Sequence, residues 1–283
     1  MVSASCTTCW ARLRRASATV VLLAFSALMV APIAWVFVIV LAPPDRRFSN
    51  PPPWVLTEVD LTSFRRAFEL LPIGDMVLNS LKVACLATLG ATMTSVLAAY
   101  AFGRFEFRGR RLLFGAMVSS LVLPPQVTAV PLFLLMQRLG LLDRHEALFL
   151  PAMFSGLAIV LLKRAFEAVP GELEDAARTD GAGPLRILFA IMLPLVRPTV
   201  VAVAVVLFLA TWNDYFWANL MLSSNDRFTL PQGLASLVGV AGEGEAAVVF
   251  AANVVAITPP LVLFLFFQRR FVESAVFAGL SER

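Results

Sequence analysis

KRAFEAVPGELEDAARTDGAGPLRILFAIMLP, residues 163–194, is the stretch on which the fold turns. Pro170 can open a helix, and Glu172, Glu174 and Asp175 complement its positive end. Arg178 suits the negative end, and Gly181 supplies the left-handed backbone of a C-terminal cap. Pro184 restarts a helix, on which Leu185, Leu188, Phe189 and Met192 recur at helical spacing as one apolar face. Ala176 and Ala177 leave a smooth patch where another surface could approach closely. The segment therefore reads as two short helices joined by a sharp turn, a structured loop between apolar runs.

Outward from it, the chain is too apolar for a soluble domain. Of its 283 residues 59% are hydrophobic and 15% charged, against about 25% charge in ordinary soluble domains. A spanning helix needs about 20 mostly apolar residues. Six spans are expected: 16–41, about 75–102, 112–137, a short one at about 147–162, about 195–222 interrupted by Asp214, and 246–268. The 16–41 run is too long for a signal-peptide core and reads as an uncleaved anchor. With the N-terminus inside, the inner segments hold fifteen Lys and Arg and the outer loops seven, which favours both termini inside. The expected class is all-α: residues 1–15 as a cytosolic N-terminus, 16–41 as the first span, 70–270 as the membrane domain with the loop 163–194, and 271–283 as a cytosolic tail. Proline-rich 42–72 is expected to be an extended outer segment.

Several chemistries are excluded. No phosphate-binding G-x-x-x-x-G-K-[S/T] loop occurs, so this chain should not hydrolyse ATP. Cys6, Cys9, Cys85 and the lone His145 are too few for a tetrahedral metal site, and no cofactor is expected. The net charge of +4 reflects inner loops rather than nucleic-acid binding. Two ionisable residues fall within spans: Lys82, expected to snorkel outward, and Asp214, which either lines a pathway with Trp212 and Asn213 or bonds a neighbouring helix.

Asp175-Ala176-Ala177, three residues, Gly181, nine residues, then Ile191-x-Leu193-Pro194 resembles the signature of permease subunits of ATP-binding-cassette importers, with Asp where the family has Glu. Asn79-Ser80-Leu81, residues 99–105, Trp212-Asn213-Asp214 and Thr229-Leu230-Pro231 are similar to the sugar-uptake permeases of the maltose type. The resemblance implies six membrane helices and a cytosolic coupling helix. It implies that Glu174, Asp175, Ala176, Ala177, Gly181, Ile191, Leu193 and Pro194 couple the chain to an ATPase. Its implied partners are a second permease in a heterodimer, two ATPase subunits, an extracytoplasmic solute-binding protein and a sugar, in a bacterial inner membrane. Ser223–Glu245 is expected to face the binding protein. The alternatives are a polyol or glycerol phosphate permease, or an ion-coupled secondary transporter.

Overall fold

The computed structural model describes residues 4–47, 54–56, 58–241 and 245–280. It is all-α, with no strand among the described residues. Among the described residues, five helices are long and apolar enough to cross a membrane, or six if one bent pair is a single span.

The chain divides into two units. The first comprises Met1–Leu71 and Leu237–Val254. Its long helix α1 (Ala4–Leu41) leaves Val20, Leu23, Phe25 and Leu28 exposed, as a lipid-facing span must. Its C-terminal end buries Val40 against Ala251 and Val254, with Phe64 and Phe250 alongside. Phe64 lies on α2 (Thr62–Leu70), a helix inside the segment expected to be extended. The proline count obscured it, because five of the six prolines precede residue 54 and the sixth, Pro72, follows the helix. Asp60 starts the helix by accepting from the Thr62 amide at 2.6 Å and from its hydroxyl. Those bonds hold the Asp60 carboxyl below the usual range.

The second unit comprises Pro72–Ser236 and Val255–Arg283. Helices α3 (Ile73–Arg104), α4 (Arg110–Ser120), α5 (Ala129–Arg138), α6 (Glu146–Ala152), α7 (Gly156–Glu167), α8 (Gly171–Thr179), α9 (Pro184–Ile187), α10 (Leu193–Trp212) and α11 (Phe216–Met221) lie within it. Helices α12 (Leu230–Ala241) and α13 (Ala246–Leu280) pass from one unit to the other. The core gathers Val96, Ala99 and Tyr100 of α3, Leu162 and Phe166 of α7, and Ile187, Leu188 and Met192 beyond α8. Close approach is enforced at Gly90, where an added Cβ would fall 2.3 Å from Met153 Cγ.

Four more expected elements differ. The fifth span, expected at about 195–222, runs as Pro184–Trp212 and breaks before α11. The span 112–137 is not straight: α4 and the helical run Pro125–Arg138 meet at 101°. Pro124 and Pro125 lack the N–H that would continue the ladder, and Pro124 is extended at ψ 135. The short fourth span is longer and split, running as Glu146–Glu167 with Ser155 capping α7 through the Ala158 amide. The stretch 223–245 is not a bare loop, since α12 occupies most of it. Glu243, with Gly242 and Gly244, lies outside the described residues, as do 281–283 and the side chains of Cys6 and Cys9. Cys85 is an exposed free thiol.

Candidate functional site

Helix α8 is local physics made visible. It begins after Pro170, carries Glu172 and Glu174 in its first turn, and ends in a Schellman turn. The Ala182 amide donates to the Ala177 carbonyl at 3.0 Å and the Gly181 amide to Arg178, also at 3.0 Å. That closure needs a left-handed residue, and Gly181 has φ +79. Gly183 and Pro184 then start α9.

The two faces of α8 differ in character. Ala177 and Glu174 turn inward, with Glu174 only 4% exposed. Its Oε1 accepts from the Tyr100 hydroxyl at 3.2 Å and from Arg178 at 2.7 Å. The Arg104 Nε lies 3.6 Å from Oε2. Arg104 also donates to the carbonyls of Phe166, at 2.7 Å, and Val169, at and just beyond the C-terminal end of α7. One arginine thus ties the C-terminal end of α3 to α7 and to α8. Asp175 and Ala176 point outward, and the Asp175 side chain is 76% exposed.

Glu174 is therefore an anchor of the loop, not part of its outer surface, and of the patch expected from Ala176 and Ala177 only Ala176 faces out, since Ala177 packs into the core. Ile191 and Leu193 are likewise half-buried against the core, while Pro194 is exposed at the start of α10. The apolar face expected along 185–192 is divided. Leu188 and Met192 are buried, but Leu185 and Phe189 are exposed. A π turn over Leu188–Met192 rotates the helix phase, which a 3.6-residue periodicity cannot anticipate.

Of the three candidate pathway residues, the structure brings only Asp214 to a cavity. Trp212 is buried, stacked on Phe208, and donates to the Ala256 carbonyl at 3.2 Å. Asn213 is exposed and bonds back to Leu209. Asp214 sits in the break between α10 and α11, where its Oδ1 accepts from the Trp217 amide at 3.0 Å. The cavity, about 240 Å³, is walled there by Asp214, Trp217 and Thr211, opposite Ser80, Thr128 and Thr229. Irregular backbone at membrane depth is tolerated where it lines a cavity or is buried in protein. Trp217 went unselected in the sequence because nothing local marks it, and Thr229 stood out only as part of the Thr229-Leu230-Pro231 motif, with no role given to it. The broken helix at Asp214 was the available signal.

Asp143 at φ 57 gathers a second polar cluster. It accepts from the amides of Ser223 and Ser224 at 2.9 and 3.0 Å and from the Ser224 hydroxyl at 2.5 Å. These bonds hold its carboxyl down at about 2. Arg227 bonds the Asp143 carbonyl. His145 donates from Nε2 to the Arg227 carbonyl at 2.9 Å, leaving Nδ1 to face Lys82 at 3.5 Å. Lys82 thus has a partner within the protein as well as a route outward.

A profile of the family "Binding-protein-dependent transport system inner membrane component" matches residues 91–276, a range that contains α8, its turn and Asp214. The chain belongs to this family. It is a membrane-embedded permease subunit, a transport component rather than an enzyme. The permease is 35% identical over 203 residues to the arabinooligosaccharides transport system permease protein AraQ of Halalkalibacterium halodurans, covering 72% of each chain. It is 37% identical over 207 residues to the sn-glycerol-3-phosphate transport system permease protein UgpE of Pectobacterium atrosepticum, covering 72% of this chain and 73% of that one. Its fold is similar to a chain of a bacterial ABC transporter involved in import of the acidic polysaccharide alginate, with a TM-score of 0.78 at 23% identity, covering 91% of this chain and 96% of the other.

Proposed function

We propose that this permease carries a sugar or short sugar oligomer inward, handed over by an extracytoplasmic binding protein and driven by two ATPase subunits through α8. It works as a heterodimer with a second permease, both termini facing the cytoplasm of a bacterium. The observation that carries this reading is the two-faced α8: Glu174 and Ala177 lock it to α3 and α7, while Asp175 and Ala176 stay outward. Exposed Leu173, Leu185 and Phe189 enlarge that outward patch with apolar surface that a soluble loop has no reason to display. A rigidly anchored helix with a sticky outer face transmits a push from a docked partner to the spans behind it.

The ATPase closes on binding ATP, α8 moves with it, and Arg104 passes the motion to α3 and α7. Hydrolysis returns the spans to the inward-facing arrangement. Family membership and the relation to AraQ support the sugar, and the equally similar UgpE keeps glycerol phosphate as the second reading. Asp175→Lys tests the docking role, because the side chain touches little of its own fold. Expected is loss of ATPase co-purification and of labelled-sugar uptake at normal membrane abundance. Wild-type uptake by that variant would reduce α8 to an ordinary connector. A cysteine at Thr179 should resist an impermeant thiol reagent applied from outside, and labelling there would overturn the orientation.

A further inference from the structure

Thr229 is 4% exposed, lines the cavity beside Asp214, and its Oγ1 has no hydrogen-bond partner. A buried hydroxyl without a partner costs free energy unless something else satisfies it. The other polar groups of the wall retain capacity. Ser80 accepts from the Leu230 amide at 2.8 Å, which leaves its own proton to donate. Thr128 and Thr211 donate to the carbonyls of Pro125 and Leu207 at 2.8 and 3.1 Å, which leaves their lone pairs to accept. Asp214 adds a carboxylate, the strongest acceptor for a hydroxyl. Trp217, Val83 and Leu132 supply apolar wall between these groups.

Hydroxyl donors and acceptors alternating with an aromatic face match the surface of a sugar ring, whose rim is hydroxyl and whose faces are C–H. The volume of about 240 Å³ falls below the roughly 300–1,000 Å³ of drug-sized pockets, so it accommodates one ring at a time. No cationic side chain lines it. A phosphate group there would lose its water and meet the Asp214 carboxylate at low dielectric.

We propose that this cavity is a transit site for one ring of an uncharged, polyhydroxylated solute, and that Asp214 rejects phosphorylated analogues. The proposal rests on the importer reading above and chooses between its two substrate classes. It also places solute contacts within this subunit, in residues of α3, α11 and the Asp214 break.

The test uses cells carrying the complete importer, with labelled L-arabinose, D-glucose and their short oligomers as neutral probes and labelled sn-glycerol 3-phosphate as the anionic one. Expected is uptake of a neutral probe and none of the phosphate ester. Asp214→Asn keeps a cap for the Trp217 amide but loses the charge, and Thr229→Val loses the hydroxyl at constant shape. Each should lower uptake by roughly tenfold, the value of one hydrogen bond to solute, at unchanged membrane abundance and melting temperature. In a chain whose Cys6, Cys9 and Cys85 are replaced by Ser, Thr229→Cys should react with a small methanethiosulfonate, and the transported sugar should slow that reaction. Wild-type sugar uptake by both variants, without protection at Thr229→Cys, overturns the transit site and leaves the sugar importer standing. Uptake of sn-glycerol 3-phosphate and of no sugar overturns both.

Discussion

The permease ties its loops with two carboxylates of opposite design. Glu174 is buried and is held by three side chains, Tyr100, Arg104 and Arg178. Asp143 is partly open to solvent and leans on two backbone amides and a hydroxyl. A desolvated charge makes the first knot all-or-nothing, since removing one partner strands the other in low dielectric. The second is a sum of replaceable hydrogen bonds to an anion that water can still reach. The difference fits their positions: the Glu174 knot holds the helix proposed to take a mechanical load, the Asp143 knot joins the 139–145 and 222–230 connections.

The sharpest way to break the comparison is Arg104→Ala. It leaves Glu174 underpaired and the Val169 carbonyl without its Arg104 donor, and should cost about 3–5 kcal/mol, read as thermal unfolding in nanodiscs. The double variant with Glu174→Ala should recover part of that loss. A simple sum of the two single effects would show that the knot is not a unit.

Asp143→Ala should cost less, about 1.5 kcal/mol, seen as faster amide exchange confined to Ser223 and Ser224. The pH dependence belongs to the same knot. The Asp143 carboxyl sits at about 2 when folded and about 3.9 when unfolded. Because the folded value is the lower one, its stabilisation is complete above about pH 4 and is lost as pH falls through about 2. Asp143→Asn should flatten that acid limb, and an unchanged acid limb would remove Asp143 from the account.

Gly181→Ala forces a Cβ into left-handed backbone at about 1 kcal/mol, while Gly181→Asn, which tolerates that region, should cost less. Gly181→Pro cannot reach φ +79 and should abolish uptake while the chain still inserts. The smallest effect belongs to Lys163→Ala. Its 2.5 Å pair with Glu167 is partly open to solvent and should be worth less than about 1 kcal/mol, so the same melt loses little beyond the contact of Nζ with the Phe114 ring.

The sequence by itself determined the all-α class, the approximate places of the apolar runs and the two short helices of 163–194 with the turn between them. Each depends on short-range rules: apolar length against the bilayer, proline at a helix start, glycine where φ is positive. Tertiary structure decided which face of α8 is inward. The acidic residues of 172–175 look interchangeable in sequence, and only the approach of Tyr100 and Arg104, some seventy residues earlier, selects Glu174. It also decided the 101° bend, the cavity that keeps Asp214 and discards Trp212 and Asn213, and the Asp143 knot between segments eighty residues apart. Burial and long-range hydrogen bonding are properties of neighbours in space. No periodicity along one helix records which distant helix will come to lie against it.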